Sequence, residues 1–383
     1  MKKSIFLTGS TGLVGGNLLP LLLKDTDISK LYLLVRGKNY TDAREKVYRT
    51  IKKTFRGFDA QLVNDKVEIF LGDVSSENLD FSNNDYKFIS EKATHIIHSA
   101  ANVSFLQSDE SARKVNYHGT KNVMKLAFAA NSNGNLKRVA YVSTAYVFGN
   151  QSGTFFEDQS YKGSSFANSY ERSKSEADSY VRSLFNELPL TIFRPSIIVG
   201  NSYNGVTTAF NVLYVPLELI FRGLLNFIPG HKNTLMDVVP VDFVVNSISK
   251  IFFNNNDSIG SIFHLTSGKN NSITAGEIIE LAMAYAKQTN DEYAYNNISK
   301  VKFVSLNAYH VLKNFVHGSA QKLYNAMEIF APYLSVKRLF DNHNTEKALK
   351  NTGITIPSFK DFYYNLFDYC VSTNWGKSLK NAA

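Results

Sequence analysis

Residues 8–15 read Thr8-Gly9-Ser10-Thr11-Gly12-Leu13-Val14-Gly15, and this stretch decides the fold. The apolar run before it, Ser4-Ile5-Phe6-Leu7, has the character of a buried strand, and residues 17–23 after it have that of a buried helix. A glycine turn between a strand and a helix lets the backbone approach a pyrophosphate, and the first N–H groups of the helix bind the anion. We therefore expect residues 8–15 to bind a dinucleotide, the alternative being an ordinary glycine-rich turn.

The composition describes a globular chain with a basic balance. Its 383 residues are 44% hydrophobic, which is enough for one large α/β domain or for a core with a second lobe. The formal net charge is +9, but the lysines and arginines are dispersed rather than gathered in a run. This distribution argues against nucleic-acid binding and suits phosphorylated cofactors, an acidic carrier protein or an anionic membrane surface.

The sequence indicates a cytoplasmic protein without a membrane span. Its single cysteine, Cys370, excludes an internal disulfide and a cysteine-based metal site, and it fits a reducing compartment. The first apolar run begins too close to Met1 for a signal peptide to be removed without it. The apolar residues 210–228 are interrupted by Pro216 and Glu218, so we expect them not to cross a bilayer, while peripheral membrane contact stays open.

Apolar runs with strand character alternate with helical patterns through the first half of the chain. Such alternation predicts an α/β fold, a Rossmann-like doubly wound parallel sheet. After Gly200 this alternation of strand and helix patterns ends. Residues 209–225 form an apolar stretch with a helical pattern, either core or one wall of a substrate pocket, and helices dominate from Thr274 onward. Further strands are expected at 31–35, 67–71, 94–98, 138–142, 190–193 and 261–265, and longer helices at 41–55, 111–130 and 170–185.

The end of the second predicted strand indicates which dinucleotide binds. That strand ends at Arg36, a position that lies beside the adenosine ribose in dinucleotide folds. An acidic residue there would bind the 2′-hydroxyl and repel a phosphate, whereas an arginine attracts the phosphate. Arg36 therefore favours NADP, with Arg44 or Lys46 of the next helix as a further cation. The alternative is a solvated arginine at the end of a strand.

These patterns predict two units in the chain. Residues 1–200 with 235–268 are expected to form an NADP-binding Rossmann domain. Residues 201–234 with 269–383 are expected to form a smaller, mostly helical substrate-binding subdomain at the C-terminal side.

Short polar and small residues follow the third and fourth predicted strands. Asp73 and Val74 follow the third strand, where a carboxylate can accept a hydrogen bond from the adenine amino group. Ser99-Ala100-Ala101 follows the fourth strand, and such small residues let the backbone pass close to the cofactor. His95 and His98 are three apart on that strand and so face opposite sides, which excludes a metal pair. No metal site is expected, and His98 is interpreted as a packed or hydrogen-bonded residue.

An acid–base site is indicated where the fifth predicted strand meets a later helix. The strand is followed by the hydroxyls of Ser143 and Thr144, at the edge where open α/β sheets bind ligands. Tyr170 and Lys174 are four apart and so share one helix face. A nearby ammonium would lower the pKa of the phenol, which would help the phenol exchange a proton with a substrate oxygen. The alternative is an ordinary pair of residues on a surface helix.

Together these motifs resemble the extended short-chain dehydrogenase/reductase family, and more narrowly its thioester reductase branch. This branch includes the reductase domains that release peptides and acids from carrier proteins, and the fatty acyl-CoA, or male sterility, reductases. The resemblance covers residues 4–268 well and the tail more loosely. It rests on Thr8-Gly9-x-x-Gly12-x-x-Gly15, Leu34-Val35-Arg36, Gly72-Asp73, His98-Ser99-Ala100-Ala101-Asn102-Val103, Val115-Asn116-x-x-Gly119-Thr120, Ser143-Thr144-Ala145, Tyr170-x-x-x-Lys174 and Arg194-Pro195-Ser196-Ile197-Ile198-Val199-Gly200-x-x-x-x-Gly205.

The resemblance implies NADPH as the cofactor and a catalytic triad. By position in the motif, the triad is Thr144, rather than Ser143, with Tyr170 and Lys174. The resemblance also adds to the cofactor contacts that the residues themselves indicate. The added positions are Asn116, Pro195, Ser196 and Ile197.

Two features depart from the family pattern. Pro20 lies inside the first predicted helix, where it cannot donate to the carbonyl of Gly16 and would clash with it. The sequence also shows no adenylation domain, carrier domain or C-terminal membrane anchor, so an activated acyl group is expected to arrive from outside.

The main hypothesis is the NADPH-dependent reduction of an acyl thioester to an aldehyde, with a second reduction to the alcohol left open. The thioester donor would be an acyl-CoA or an acyl or peptidyl group on a carrier protein. One alternative is an extended short-chain reductase or epimerase acting on a ketone, a sterol or a sugar nucleotide. The other is an NADP-binding sensor without catalysis, which the presence of both Tyr170 and Lys174 disfavours.

Overall fold

The computed structural model describes residues 2–55, 57–160, 165–210 and 212–380. In chain order its strands are β1 (Lys3–Thr8), β2 (Ile28–Val35), β3 (Val67–Leu71), β4 (His95–His98), β5 (Arg138–Val142), β6 (Gly153–Phe155), β7 (Leu190–Pro195), β8 (Ile197–Val199), β9 (Phe227–Pro229), β10 (Leu235–Met236), β11 (Val238–Pro240), β12 (Ser261–Leu265), β13 (Ile273–Thr274), β14 (Lys302–Val304) and β15 (Arg338–Phe340).

Helices alternate with the first strands and dominate the C-terminal third. They are α1 (Leu13–Lys24), α2 (Tyr40–Thr54), α3 (Ala60–Lys66), α4 (Asn83–Lys92), α5 (Asp109–Arg113), α6 (Gly119–Ser132), α7 (Ser169–Ser183), α8 (Tyr214–Phe221), α9 (Val241–Asn254), α10 (Gly268–Asn271), α11 (Ala275–Gln288), α12 (Glu292–Ile298), α13 (Leu306–Asn314), α14 (Ser319–Glu328), α15 (Ala331–Ser335), α16 (His343–Leu349), α17 (Phe359–Ser372) and α18 (Lys377–Lys380). None of these described helices is long and apolar enough to cross a membrane.

The described residues form a seven-stranded sheet in the order β3-β2-β1-β4-β5-β7-β12, and all of its strand pairs are parallel. This is the predicted Rossmann-like doubly wound sheet. The strand order reverses between β1 and β4, so the chain leaves these two neighbours toward opposite sides. The crevice that this leaves at the carboxyl ends of the strands is where such sheets bind ligands.

Both faces of the sheet are covered, which is why its strands read as continuous apolar runs. Along β1, Ile5 and Leu7 pack on one side with α1, α2 and α9. Phe6 points to the other side, where α4, α6 and α7 lie. The predicted strands match β2, β3, β4, β5, β7 and β12 to within three residues at each end.

A second apolar core lies beside the sheet. It gathers α8, α11, α12 and α17 around buried residues from Ile197 to Trp375.

Glu157 joins α16 to β12, the last strand of the sheet. Its carboxylate accepts hydrogen bonds from the backbone N–H groups of His264 (2.8 Å), Asn344 (2.5 Å) and Thr345 (3.2 Å). Burial raises the pKa of this carboxyl to about 7, despite the hydrogen bonds that lower it.

Two predicted helices differ from the structure in detail. The helix expected at 111–130 runs from Asp109 to Ser132, but with a π-helical turn at Lys114–His118. The apolar stretch 209–225 is helical only over Tyr214–Phe221, and residue 211 lies outside the described residues. This helix ends because Gly223 has a φ of +68° and donates to the carbonyl of Ile220, a left-handed C-terminal turn that glycine favours.

Pro20 lies inside α1 without breaking it. Because proline has no N–H, the carbonyl of Gly16 lacks its usual partner within the helix. The hydroxyl of Thr54, at the end of α2, lies 3.0 Å from that carbonyl oxygen and can donate to it. The same hydroxyl is also 3.0 Å from the carbonyl of Thr50, so its single proton serves one acceptor at a time. A neighbouring helix thus supplies the donor that Pro20 removes.

We expect Thr54→Val to lower the free energy of unfolding by about 1 kcal/mol, because it leaves the Gly16 carbonyl without a donor. Urea denaturation measures this loss, and Thr54→Ser, which keeps the hydroxyl, should cost less. In a Pro20→Ala background the Gly16 carbonyl regains its helical partner, so the cost of Thr54→Val should shrink. An equal cost in both backgrounds would contradict this role of Thr54.

Candidate active site

A continuous cleft runs across the carboxyl edge of the sheet. It consists of a cavity of about 340 Å³ on the side of β5 and α7, and one of about 700 Å³ on the side of β2. Both volumes fall in the range of ligand sites in proteins, about 300–1,000 Å³. The residues that line both cavities belong to the turns after β1 and β4, namely Gly9, Thr11, Gly12, Ser99 and Ala101.

The glycine turn has the backbone geometry that a bound pyrophosphate requires. Gly9 has a φ of +76°, and a Cβ there would lie 2.7 Å from the backbone nitrogen of Ala100. A Cβ on Gly15 would lie 2.3 Å from the carbonyl oxygen of Gly9. Gly12 caps α1 without a side-chain hydrogen bond, which leaves the first N–H groups of the helix to an anion. The turn therefore fits a dinucleotide.

Most of the predicted cofactor residues line this cleft. On the side of β5 and α7 the cleft includes Leu13, Val14, Gly15, Tyr170, Lys174, Pro195, Ser196 and Ile197, besides the shared residues. On the side of β2 it includes Arg36, Lys46, Val74 and Ala100.

The far end of the cleft is basic. The Arg36 side chain is 70% exposed and lies 3.9 Å from the carboxylate of Asp73, a loose ion pair. Lys46 donates to the carbonyl oxygen of Arg36 at 3.0 Å and to Asp42 at 2.8 Å. Arg44, the other cation considered, is within hydrogen-bond distance of Tyr48, away from the cleft. Arg36 and Lys46 thus lie where the ribose phosphate of an NADP molecule is expected.

Four predicted cofactor residues do not line the cleft. The hydroxyl of Thr8 is buried 2.7 Å from Nδ1 of His98, and the carboxylate of Asp73 accepts from the N–H of Ser75. The hydroxyl of Ser10 is buried without a partner among the described residues. The amide of Asn116 is occupied by contacts with the backbone of Asn102 and with Ser173. Thr8 and Asn116 therefore support the cleft from behind rather than facing it.

The three predicted catalytic residues lie in the same cavity. Thr144 follows β5, and its hydroxyl accepts the N–H of Tyr146 at 3.3 Å, which fixes the turn. Tyr170 and Lys174 come from the first two turns of α7, which Asn168 caps. The ammonium of Lys174 donates to the hydroxyl of Tyr141 at 2.9 Å and to the carbonyl of Val142 at 2.8 Å.

Burial dominates the electrostatics of this pair. It raises the pKa of Tyr170 to about 12, against a hydrogen bond with Thr144 that lowers it. It lowers the pKa of Lys174 to about 7, against the nearby carboxylate of Asp178, which raises it. The prediction that Lys174 lowers the pKa of the phenol is therefore wrong for the chain alone, because the ammonium is bound to Tyr141 and Val142 instead.

A buried ion pair lies behind Lys174. Arg194, at the end of β7, makes two hydrogen bonds to Asp178, from Nε at 2.9 Å and from Nη2 at 2.5 Å. Both side chains are almost fully buried, at 2% and 4% exposure. Arg194 holds the carboxylate in its charged form, so the pKa of Asp178 is lowered even though burial acts to raise it. The pair thus keeps a fixed negative charge near the ammonium.

The two histidines on β4 have structural contacts, as the sequence indicated. His95 packs edge-on against Phe252, whereas His98 bridges the hydroxyls of Thr8 and Thr120 on the other side of the strand. Burial lowers the pKa of His98 to about 3, so its ring is neutral. In the described part of the chain, no cluster of His, Cys, Asp or Glu could hold a metal ion.

Three aromatic residues that line the cleft were not predicted from the sequence. Tyr146 lies two residues after Thr144, Phe105 lies in the loop after β4, and Tyr333 lies in α15. The ring of Phe105 stacks on that of Tyr333, with centroids 5.7 Å apart, and Tyr146 meets Tyr333 edge-on at 5.2 Å. The motif around Thr144 could have indicated Tyr146. No local sequence pattern connects Tyr333 with Thr144, Tyr170 and Lys174, which precede it by more than 150 residues.

The chain matches known reductases over most of its length. The family model described as "Male sterility protein", an NAD-binding family, matches residues 7–248. The chain is 30% identical over 282 residues to "Fatty acyl-CoA reductase wat" of Drosophila melanogaster, covering 64% of this chain and 53% of the fly protein. It is 28% identical over 272 residues to "Nonribosomal peptide synthetase asaC" of Aspergillus flavus, covering 68% of this chain and 26% of that protein.

A solved structure extends this similarity to nearly the whole chain. It is the terminal R domain from the myxalamid PKS-NRPS biosynthetic pathway, with a TM-score of 0.82 and 25% identity. The match covers 98% of this chain and 92% of that domain. By contrast, the chain spans about half the length of the fly relative.

Proposed function

Because this chain belongs to the male sterility protein family, we propose that it is a nicotinamide-dependent reductase that converts an acyl thioester into an aldehyde. One observation carries the proposal. The glycine turn, Thr144, Tyr170 and Lys174 line the same cavity, so a bound dinucleotide and two hydroxyl donors would meet at one substrate carbonyl. Relatives named as an acyl-CoA reductase and as a nonribosomal peptide synthetase support thioesters as the substrate class.

The proposed chemistry divides between the cofactor and three side chains. The cofactor, when bound, supplies a hydride for the thioester carbonyl. The hydroxyls of Tyr170 and Thr144 would donate hydrogen bonds to the carbonyl oxygen as negative charge develops there, and such donors are worth about 3–4 kcal/mol each. Tyr170 then gives its proton to that oxygen and recovers one from solvent. Lys174 would hold the nicotinamide ribose.

The products follow from the balance of atoms. The hemithioacetal formed by hydride and proton addition breaks its C–S bond, releasing a thiol and an aldehyde. A second round on the aldehyde would give the alcohol. The overall step consumes one thioester, one NADPH and one proton.

The remaining site residues and the domain division are part of the proposal. Cofactor contacts are proposed for Gly9, Thr11, Gly12, Leu13, Val14, Gly15, Arg36, Lys46, Val74, Ser99, Ala100, Ala101, Tyr170, Lys174, Pro195, Ser196 and Ile197, which line the cleft. For Thr8, Ser10, Asp73 and Asn116, which do not line it in the chain alone, a cofactor contact stays a prediction. Residues 1–200 with 235–268 would bind the cofactor, and 201–234 with 269–383 the substrate. The thioester would arrive on CoA or on a carrier protein, and a cytoplasmic location is proposed from the single cysteine.

NADPH, rather than NADH, is proposed from the basic end of the cleft. The guanidinium of Arg36 is exposed beside the cleft, and Lys46 lies against its backbone. A guanidinium binds phosphate through paired hydrogen bonds, whereas none of the described residues that line this end carries a carboxylate to bind a ribose 2′-hydroxyl. The extra phosphate of NADPH therefore has a partner here.

We expect Arg36→Glu to lower kcat/KM for NADPH about 10–100-fold, with a much smaller effect on NADH, because a charge-assisted hydrogen bond to the phosphate is lost. Steady-state kinetics with both cofactors measure the change. Arg44→Glu is the matched control, because Arg44 carries the same charge but lies away from the cleft. Equal losses with NADPH and NADH would contradict the role of Arg36.

Product analysis tests the proposed function directly. The purified protein is mixed with NADPH and a panel of acyl-CoAs and acylated carrier proteins, and products are identified by mass. We expect cofactor oxidation with an equal amount of free thiol and an aldehyde or alcohol. Reduction of ketones but of no thioester would favour the alternative reductase. Binding of NADPH without turnover on any carbonyl would favour the sensor.

A further inference from the structure

A third, apolar cavity adjoins the cavity that Thr144, Tyr170 and Lys174 line. It measures about 60 Å³ and lies among α8, α11 and the strand β9. The side chains that line it are all apolar except that of Tyr333. Among the apolar ones are Leu217, Ile278 and Phe303. An apolar cavity of this kind holds no well-bound water. A hydrocarbon group that enters it therefore displaces no ordered water molecule.

Tyr333 and Val212 line both cavities and therefore form the wall between them. The Tyr333 ring is held in place from several sides. Its hydroxyl donates to the carboxylate of Glu171 at 2.5 Å and accepts from the amide of Asn168 at 3.0 Å. Its face stacks on Phe105 at an interplanar angle of 6°. The wall is thus fastened to the start of α7, the helix that carries Tyr170.

The chemistry of the apolar cavity distinguishes between two kinds of acyl group. A peptidyl group carries an N–H and a C=O at every residue, and these would lose their water without finding partners among the apolar side chains. An unbranched hydrocarbon chain loses no hydrogen bond to water on entering and gains from each methylene removed from water. The cavity therefore favours an aliphatic chain over a peptide.

We propose that the apolar cavity receives the distal end of an unbranched aliphatic acyl chain, and that Tyr333 and Val212 determine which chain lengths reach it. This inference rests on the proposed function, because it places the thioester carbonyl at Tyr170. The chain would run from that carbonyl past the ring of Tyr333 into the space beside Ala275.

The test is a chain-length profile with straight-chain acyl-CoAs from butanoyl to hexadecanoyl. For the wild type, kcat/KM should rise about fourfold per methylene over the lengths that enter the cavity, and then level off. Ala275→Leu fills the cavity and should cut the ratio of long-chain to short-chain kcat/KM by about tenfold or more. Glu280→Leu adds the same side chain to the exposed face of the same helix and should keep the wild-type profile.

Two substitutions of Tyr333 distinguish the contribution of its ring from that of its hydroxyl. Tyr333→Ala joins the cavities and should move the preferred chain length upward, whereas Tyr333→Phe keeps the ring and should keep the profile. Thermal unfolding and NADPH binding identify any variant that fails to fold. A flat profile in an active wild type, or equal losses at all lengths in Ala275→Leu, would overturn the inference and leave the proposed function intact.

A direct binding measurement covers the case of no turnover. If no thioester is reduced, the proposed function fails, and calorimetry with free straight-chain fatty acids is the remaining test of the cavity. Affinity that rises with chain length in the wild type and in Glu280→Leu, but not in Ala275→Leu, would support the cavity. Chain-length-independent affinity, or no binding at all, would overturn it.

Discussion

Tyr170→Phe is expected to lower kcat by about 10²–10⁴-fold while NADPH binding stays nearly unchanged. The phenol hydroxyl is the proposed proton donor, and Thr144 supplies the second hydroxyl of the proposed triad in the same cavity. The variant keeps the ring, and with it the packing against Phe105 at 5.9 Å. Stopped-flow measurement of the first turnover separates this loss from any change in product release.

The same helix provides a matched control for that experiment. Tyr180→Phe removes a phenol hydroxyl from α7, but Tyr180 packs against Tyr117 on the outer side of the helix, away from the cleft. It should leave kcat unchanged. A Tyr170→Phe protein with near wild-type turnover would remove Tyr170 from the proposed role, and so would a loss explained entirely by weaker NADPH binding.

Arg194→Leu should lower the free energy of unfolding by about 3–5 kcal/mol, because it leaves the carboxylate of Asp178 buried and unpaired. Both side chains are almost fully buried, and the pair makes two short hydrogen bonds. Chemical denaturation at neutral pH measures the loss.

Two comparisons identify the cause of this effect. In Arg194→Leu with Asp178→Leu the unpaired carboxylate is removed as well, so much of the lost stability should return. Arg172→Leu breaks the ion pair with Asp109, which has a similar distance of 2.8 Å but is about half exposed, and should change stability little. If the double variant were as unstable as Arg194→Leu alone, burial of the unpaired charge would not be the cause.

The features that were predicted from the sequence are those that depend on a local pattern of residues. The turn after β1, the parallel strands, Arg36 at the end of β2 and the pair Tyr170 and Lys174 all follow from spacing and residue type over a few positions. The Rossmann-like sheet is confirmed, and the family comparison confirms the thioester reductase resemblance.

The errors concern properties that depend on distant contacts. The pKa of Tyr170 is raised by burial, and the ammonium of Lys174 donates to Tyr141 on β5. The cofactor contact of Asn116 stays a prediction, although tertiary packing places its amide against Asn102 and Ser173 in the chain alone. Tyr333 belongs to the cleft only because α15 folds back over α7. None of these contacts leaves a periodic signal in the sequence.

The carboxylate of Glu157 imposes an order on the folding of this chain. Its backbone donors lie 107, 187 and 188 residues further along, at His264, Asn344 and Thr345. At a synthesis rate of about 5–20 residues per second, the last donor leaves the ribosome about 10–40 seconds after Glu157 itself. Until then the carboxylate must stay hydrated, because burying it without partners is costly. We therefore expect the edge of the sheet at β12 to close late in folding.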